Sequence, residues 1–178
     1  MKWRVHGKKA VYKSSWVELW LDEVETPDGE RFDHHVLRFP RPSTTAVVVK
    51  DDQVLLLWRH RFITDAWGWE VPAGWADPGE ETPDAIAREV EEETGWRPKN
   101  LSKLLSYNAL SGISSMRFHA YLATDAEHIG PPTDTNEAER IAWLPVSDVP
   151  RLMASGEISD GPTITALSYY LASRNPQR

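Results

Sequence analysis

The chain has no cysteine among its 178 residues, which removes disulfides, thiolate zinc sites and cysteine nucleophiles and gives no support for an oxidising compartment. It has no run of 18 apolar residues able to span a bilayer and no early apolar stretch that reads as a signal peptide, so no membrane is expected and the cytoplasm is the expected setting. Positive charge is in short supply. Twenty Lys and Arg against 27 Asp and Glu leave a formal charge of −7, which argues against a nucleic-acid partner. Internal repeats and Gly-, Ser- or Pro-rich linkers are missing too. The chain therefore reads as one domain, or one domain with an extension, large enough to bury roughly 70% of its unfolded surface.

What the chain does have is acid in one place. Glu89, Glu92 and Glu93 stand three and four residues apart in a stretch free of Gly and Pro from Asp84 to Thr94, a spacing that gathers all three on one helical face. Three carboxylates so placed repel one another by about 1 kcal/mol per pair in water at about 4 Å, and by about 4 at an intermediate dielectric. A bound hard cation removes that penalty, and carboxylate oxygens suit Mg²⁺ or Mn²⁺. A solvated acidic face is the alternative on charge alone. Thr82 as N-cap, Pro83 in the first turn and Asp84 beside Glu80 and Glu81 open the helix, and Gly95 stops it. Ile86 and Val90 supply an apolar stripe to lay on a sheet. Arg88, one residue before Glu89 and four before Glu92, pairs with and orients a metal-binding carboxylate or forms an ordinary helix ion pair.

Strand patterns surround this helix. Val11 to Phe39 reads as a hairpin turning at Thr26 to Gly29, with Trp16 and Trp20 on one strand face. A strand pair follows, Thr44 to Val49 and Gln53 to Trp58, around Asp51-Asp52, and Trp67 to Val71 leads into Gly74. Further strands are expected at Leu101 to Tyr107, Arg117 to Ala123 and Glu139 to Leu144, and helices at Val149 to Ala154 and Thr163 to Ser173. The end, 174–178, is expected to fray. Strands on both sides of a central helix, with helices at the end, imply an α/β sandwich (α+β) on a mixed sheet.

The order Gly74, five residues, Glu80, seven residues, then Arg88-Glu89-Val90-Glu91-Glu92-Glu93-Thr94-Gly95-Trp96 resembles the signature of the Nudix hydrolases, with Trp96 where an aliphatic residue is usual. The resemblance implies a loop-helix-loop in an α/β/α sandwich that holds divalent metal through Glu89, Glu92, Glu93 and the Gly74 carbonyl, and cleaves a pyrophosphate by attack of water on phosphorus. The missing cysteine counts against the isopentenyl-diphosphate isomerase branch of the same fold. WRHRFITDAWGWEVPAG resembles the matching segment of nucleotide-sugar hydrolases, which have an Arg ahead of a Glu-x-Pro-Ala-Gly run; the corresponding residues are Arg61 and Glu70 to Gly74. Arg61, and Arg59 on the same strand face, can grip a phosphate or stand as surface charge. Glu70 borders the metal loop.

Family members that hydrolyse ADP-ribose and nucleotide sugars carry an N-terminal β extension like residues 1–40, ahead of a hydrolase domain here spanning 41–178. That extension implies a homodimer, and nine Trp offer area for its interface and faces for a base, with Trp3 the candidate for an exposed contact. The Ser-Pro-Gly turn of many ADP-ribose-type members is here Leu110-Ser111-Gly112, with Met116 where their Glu falls. Ser111 and Gly112 are expected to line the pocket. The general base, by resemblance, comes from the loop Thr133 to Arg140, where Glu137 is the closest match and Glu139 and Glu93 are competitors. The implied activity is Mg²⁺-dependent hydrolysis of ADP-ribose or another ADP-sugar. A nucleoside-triphosphate pyrophosphohydrolase and a nucleotide-sugar sensor without turnover are the alternatives.

Overall fold

The computed structural model describes residues 1–174; of the tail expected to fray, all but Arg174 lies outside the described residues. Two compact units are present, Met1–Pro42 with Asn108–Arg117, and Ser43–Tyr107 with Phe118 onward.

In the first unit β1 (Arg4–Lys13), β2 (Glu18–Glu25) and β3 (Arg31–Arg38) form an antiparallel sheet in that order. The expected hairpin is its β2–β3 half, closed where the Gly29 N–H donates to the Thr26 carbonyl at 3.0 Å. Strand β1 begins well before the expected Val11. Its apolar alternation is broken by Gly7, Lys8 and Lys9, so its extent comes from pairing with β2 across two register shifts. Trp16 does not share a strand face with Trp20. It lies in the turn before β2, where Ser14 Oγ accepts the N–H groups of Trp16 and Val17, and the Arg41 guanidinium sits 5.0 Å from its ring. Residues 108–117 return to β3, with Leu37 N–H donating to Ile113 O at 2.8 Å and Ser115 N–H to Leu37 O at 3.0 Å.

The second unit runs β4 (Ser43–Lys50), β5 (Gln53–Arg61), β6 (Ala66–Glu70), β7 (Ala73–Trp75), α1 (Thr82–Thr94), β8 (Trp96–Lys99), β9 (Ser102–Tyr107), β10 (Phe118–Ala123), β11 (Asp125–His128), β12 (Arg140–Pro145), a 3₁₀ turn (Val146–Asp148), α2 (Val149–Ala154) and α3 (Gly161–Arg174). Its main sheet has the order β12-β5-β4-β10-β9, with β6 on β5 and β7 on β4. Strand β10 runs parallel to β4 and the other pairings are antiparallel, so the sheet is mixed. Asp51 and Asp52, at φ 49° and 57°, turn the β4–β5 hairpin in the left-handed conformation that matches strand twist. The small pair β8 and β11 was not legible, because its strands are four residues long and carry Arg97, Pro98, Lys99, Asp125 and Glu127.

Both faces of the sheet are covered. Ala46, Val48, Leu55 and Tyr121 pack against Ile86 and Val90 of α1, while Val47, Val54, Leu56 and Ala120 pack against Val149 and Leu152 of α2 and Ala166, Leu167 and Tyr170 of α3. Alternate residues of β4 and β5 thus enter opposite cores, the arrangement of an α/β/α sandwich. Trp96 packs at the edge of the α1-side core, edge to face with Trp143 at 5.2 Å. Among the described residues no helix is long and apolar enough to cross a membrane.

Candidate active site

The loop after β7 and helix α1 carry the acidic stretch. The helix starts one residue earlier than expected. Glu81 is the N-cap, without a side-chain cap bond, and Thr82 is the first helical residue; its Oγ1 meets the Tyr121 hydroxyl at 2.5 Å, so this hydroxyl serves a tertiary contact instead of capping. Gly95 ends the helix at φ 72°, donating its N–H to Glu91 O at 2.9 Å. A Cβ at this position would also stand 2.1 Å from the Gly130 carbonyl oxygen, so conformation and packing both require glycine.

The three glutamates meet different surroundings. Glu93 is 3% exposed. Its Oε1 accepts from Arg59 Nη2 at 2.7 Å and its Oε2 from the Ala73 N–H at 3.1 Å. Burial pushes its carboxyl up to about 7, against the lowering pull of Arg59 and the Ala73 N–H. Glu89 is raised as well, first by desolvation, with its Arg88 partner opposing. Its carboxylate lies against the Gly74 backbone, where a Cβ would stand 2.1 Å from its carboxyl carbon. Glycine at position 74 therefore lets the helix carboxylate approach the loop backbone. Glu92 is the most open of the three, with 44% of its side chain exposed.

Arg88 ties this group together. Its Nε and Nη2 donate to the two oxygens of Glu80 at 3.0 Å each, its Nη1 to Glu89 at 2.9 Å and Glu92 at 3.0 Å, and its Nη2 also to Trp75 O at 3.3 Å. Glu80, read from the sequence as charge at the helix start, is in fact the bidentate partner of Arg88. That bond, with one from the Asp77 N–H, holds its carboxyl below the usual range. Its fixed place between Gly74 and Arg88 in the motif was the available signal.

Strand β5 contributes two arginines with different fates. Arg61, with 48% of its side chain exposed, forms a fork on Glu70 through Nε at 3.0 Å and Nη2 at 2.5 Å. Glu70 itself is 4% exposed. Arg59 is 3% exposed, neither surface charge nor open to a phosphate. Its Nη2 is on Glu93, its Nη1 on Glu137 at 3.1 Å, and its Nε, buried without a hydrogen-bond partner, lies 3.9 Å from Glu70 Oε2.

Glu137 reaches this group from the loop before β12. That loop is moored at both ends: the N–H groups of Thr133 and Asp134 donate to Glu92 O at 2.9 Å, and the Glu139 N–H to Trp58 O at 2.9 Å. Glu70, Arg59, Arg61, Glu93 and Glu137 are thus linked in one network, and Glu80, Arg88, Glu89 and Glu92 in a second; α1 carries Glu93 of the first and Arg88, Glu89 and Glu92 of the second, with Glu89 against Gly74 of β7. Ser111 and Gly112 belong to the first unit, where they line a cleft of about 530 Å³ with Trp3, Asp22, His34 and Ile113.

Among the described residues no group of three or more Asp, Glu or His side chains is arranged to hold a metal ion; Glu89 and Glu92 are turned onto Arg88, and Glu93 onto Arg59. The donor set nevertheless fits a hard divalent cation. It consists of carboxylate oxygens, each with a lone pair beyond its present hydrogen bond, and the Gly74 backbone that Glu89 approaches closely.

Comparison with known proteins bears on this arrangement. A model of the NUDIX domain matches residues 40–167, and one of the nucleoside diphosphate sugar hydrolase N-terminal domain matches residues 3–37. The CMP-5'-(N-acetyl-N-hydroxy-3-aminopropyl)phosphonate hydrolase of Streptomyces rubellomurinus is 37% identical over 171 residues, 94% of this chain and 82% of its own. The ADP-ribose pyrophosphatase of Bacillus subtilis is 25% identical over 165 residues, 92% and 89% of the two chains. In fold, the crystal structure of an ADP compounds hydrolase matches with a TM-score of 0.85 at 19% identity, over 99% of this chain and 98% of that one.

Proposed function

The chain belongs to the Nudix hydrolase family, and on that premise we propose that it hydrolyses the pyrophosphate bond of an ADP-sugar, ADP-ribose foremost, to AMP and a sugar phosphate. It uses Mg²⁺, with Mn²⁺ as a substitute, and works in the cytoplasm as a homodimer joined through its N-terminal extension. The observation that carries the chemistry is the packing of Glu89 on the Gly74 backbone beside Glu93, a cradle that a Cβ would fill.

Gly74 O, Glu89, Glu92 and Glu93 would hold the cation, which when bound polarises phosphoryl oxygens and lowers the pKa of a coordinated water. Arg88, fixed by Glu80, orients Glu89 and Glu92. Glu137 takes the proton as the water oxygen attacks phosphorus and the bond to the bridging oxygen breaks. Arg61 keeps its Nη1 for a substrate phosphate while Glu70 grips its other donors. Ser111 and Gly112, lining the cleft of the first unit, are the remaining candidates for contact with the nucleotide.

A second reading follows from the 37% identical relative named as a CMP-phosphonate hydrolase. There the nucleoside monophosphate would be joined to a phosphonate, and the base would be cytosine. The experiment is a Mg²⁺ panel of ADP-ribose, ADP-glucose, UDP-glucose, a CMP-phosphonate, diadenosine polyphosphates and dNTPs, read for nucleoside monophosphate, phosphate and pyrophosphate, with Glu93→Gln in parallel. AMP from ADP-sugars, lost in the variant, is expected. CMP from the phosphonate would select the second reading, pyrophosphate from dNTPs would select the triphosphate alternative, and no turnover at all would return a sensor.

A further inference from the structure

The loop 133–139 carries three acids, and the structure treats them differently. Asp134 spends its Oδ1 on the Asn136 N–H at 3.1 Å. Glu139 is fixed through its backbone to Trp58 O, next to Arg140, whose guanidinium lies 5.3 and 5.2 Å from the rings of Trp58 and Trp69. Glu137 alone of the three is hydrogen-bonded to the buried Arg59, at 3.1 Å. The other terminal amino group of the same guanidinium is on Glu93 at 2.7 Å. One rigid fork therefore sets the separation between a loop carboxylate and a carboxylate of α1.

We propose that Arg59 is a positioning residue for hydrolysis: it selects Glu137 among the loop acids and carries it to the metal-binding edge of α1 by bridging it to Glu93. The inference rests on the reading of Glu137 as base. The moorings at Glu92 O and Trp58 O fix where the loop starts and stops, but they are backbone bonds that any sequence would make. Arg59 is the side-chain tie that distinguishes position 137. Lysine there keeps the charge and loses the fork, so it can serve one carboxylate at a time. At 3% exposure the guanidinium turns Nη1 and Nη2 to carboxylates, and Glu137 meets it from the open side, with 43% of its side chain exposed.

The test compares wild type, Arg59→Lys, Glu137→Gln and the double variant by steady-state kinetics, with amide hydrogen exchange of 133–139 in the metal-free proteins. Arg59→Lys is expected to lower kcat by about 10- to 100-fold with KM changed less than about threefold. In the Glu137→Gln background its effect on kcat should be markedly smaller, since the share that runs through Glu137 is already lost and only the Glu93 bond is left to disturb. Exchange of the loop amides should quicken in both single variants; Glu137→Gln supplies this readout even if Arg59→Lys folds poorly. Wild-type kcat in Arg59→Lys, losses that multiply in the double variant, or unchanged loop exchange in Glu137→Gln would each overturn the positioning role. Wild-type kcat in Glu137→Gln would instead overturn the base assignment and take this inference with it.

Discussion

In Met1–Pro42 with Asn108–Arg117, Val24 and Asp22 are the only buried residues among those described, whereas the other unit fills two cores and buries Arg59, Glu70 and Glu93 as well. Apolar residues are not lacking in the first unit. Trp3, Val5, Val11, Tyr12, Trp16, Leu110 and Ile113 are all more than 40% exposed. The difference lies in what each unit contains: among its described residues the first has a three-stranded sheet and no helix of its own, and a single layer has no inside. The sandwich, with helices on both faces, can bury charge because its walls supply partners. The first unit leaves apolar side chains exposed, and the second encloses Arg59, Glu70 and Glu93.

That contrast can be broken from either side. The largest expected effect is in the sandwich: Glu137→Gln should lower kcat by about 10² to 10⁴ with little change in KM or thermal midpoint, as read by steady-state assay and calorimetry. Next is the sheet unit, where Tyr12→Asp places a charge on a 58% exposed tyrosine; self-association measured by sedimentation should weaken by about 30-fold if the dimer forms there. Gly74→Ala should then weaken Mn²⁺ binding, measured calorimetrically, by about tenfold while the fold survives, because the atoms its Cβ meets are the movable end of Glu89.

The smallest effect is a pH dependence. Glu93 is lifted from 4.5 to about 7 by burial, so between those values the folded state binds more protons than the unfolded state and stability falls as pH rises. The metal-free protein should lose a few degrees in thermal midpoint from pH 5 to 8. Saturating Mg²⁺, which favours the ionised carboxylate, should raise the midpoint more at pH 8 than at pH 5. Equal shifts at both would show that Glu93 is not among the groups that titrate with the metal.

The helix was legible almost to the residue, since Thr82 to Gly95 contains a complete set of local signals, and the strands of β4, β5, β9, β10 and β12 announced themselves through branched and aromatic runs. Strand β1, the β8–β11 pair and the place of Trp16 were not legible. The strands depend on pairing with their partners, not on their own alternation, and Trp16 is placed by the Ser14 turn. Glu80 and Arg59 make the same point within the site. A glutamate eight residues before Arg88 reads as charge at a helix start, and an arginine on a strand as a grip for phosphate or as surface charge, until the loop folds back and the helix lies across the sheet.

By itself, then, the order of residues determined the helix, the grouping of Glu89, Glu92 and Glu93 on it, the glycines that flank it and the family it resembles, because these are local regularities of spacing and backbone freedom. Which of the glutamates is dry, which arginine is internal and which loop acid is tied to the helix was decided only in three dimensions. Burial and ion pairing are set by neighbours that the sheet brings together from residues 59, 70, 73, 93 and 137, and no spacing along the chain encodes their meeting.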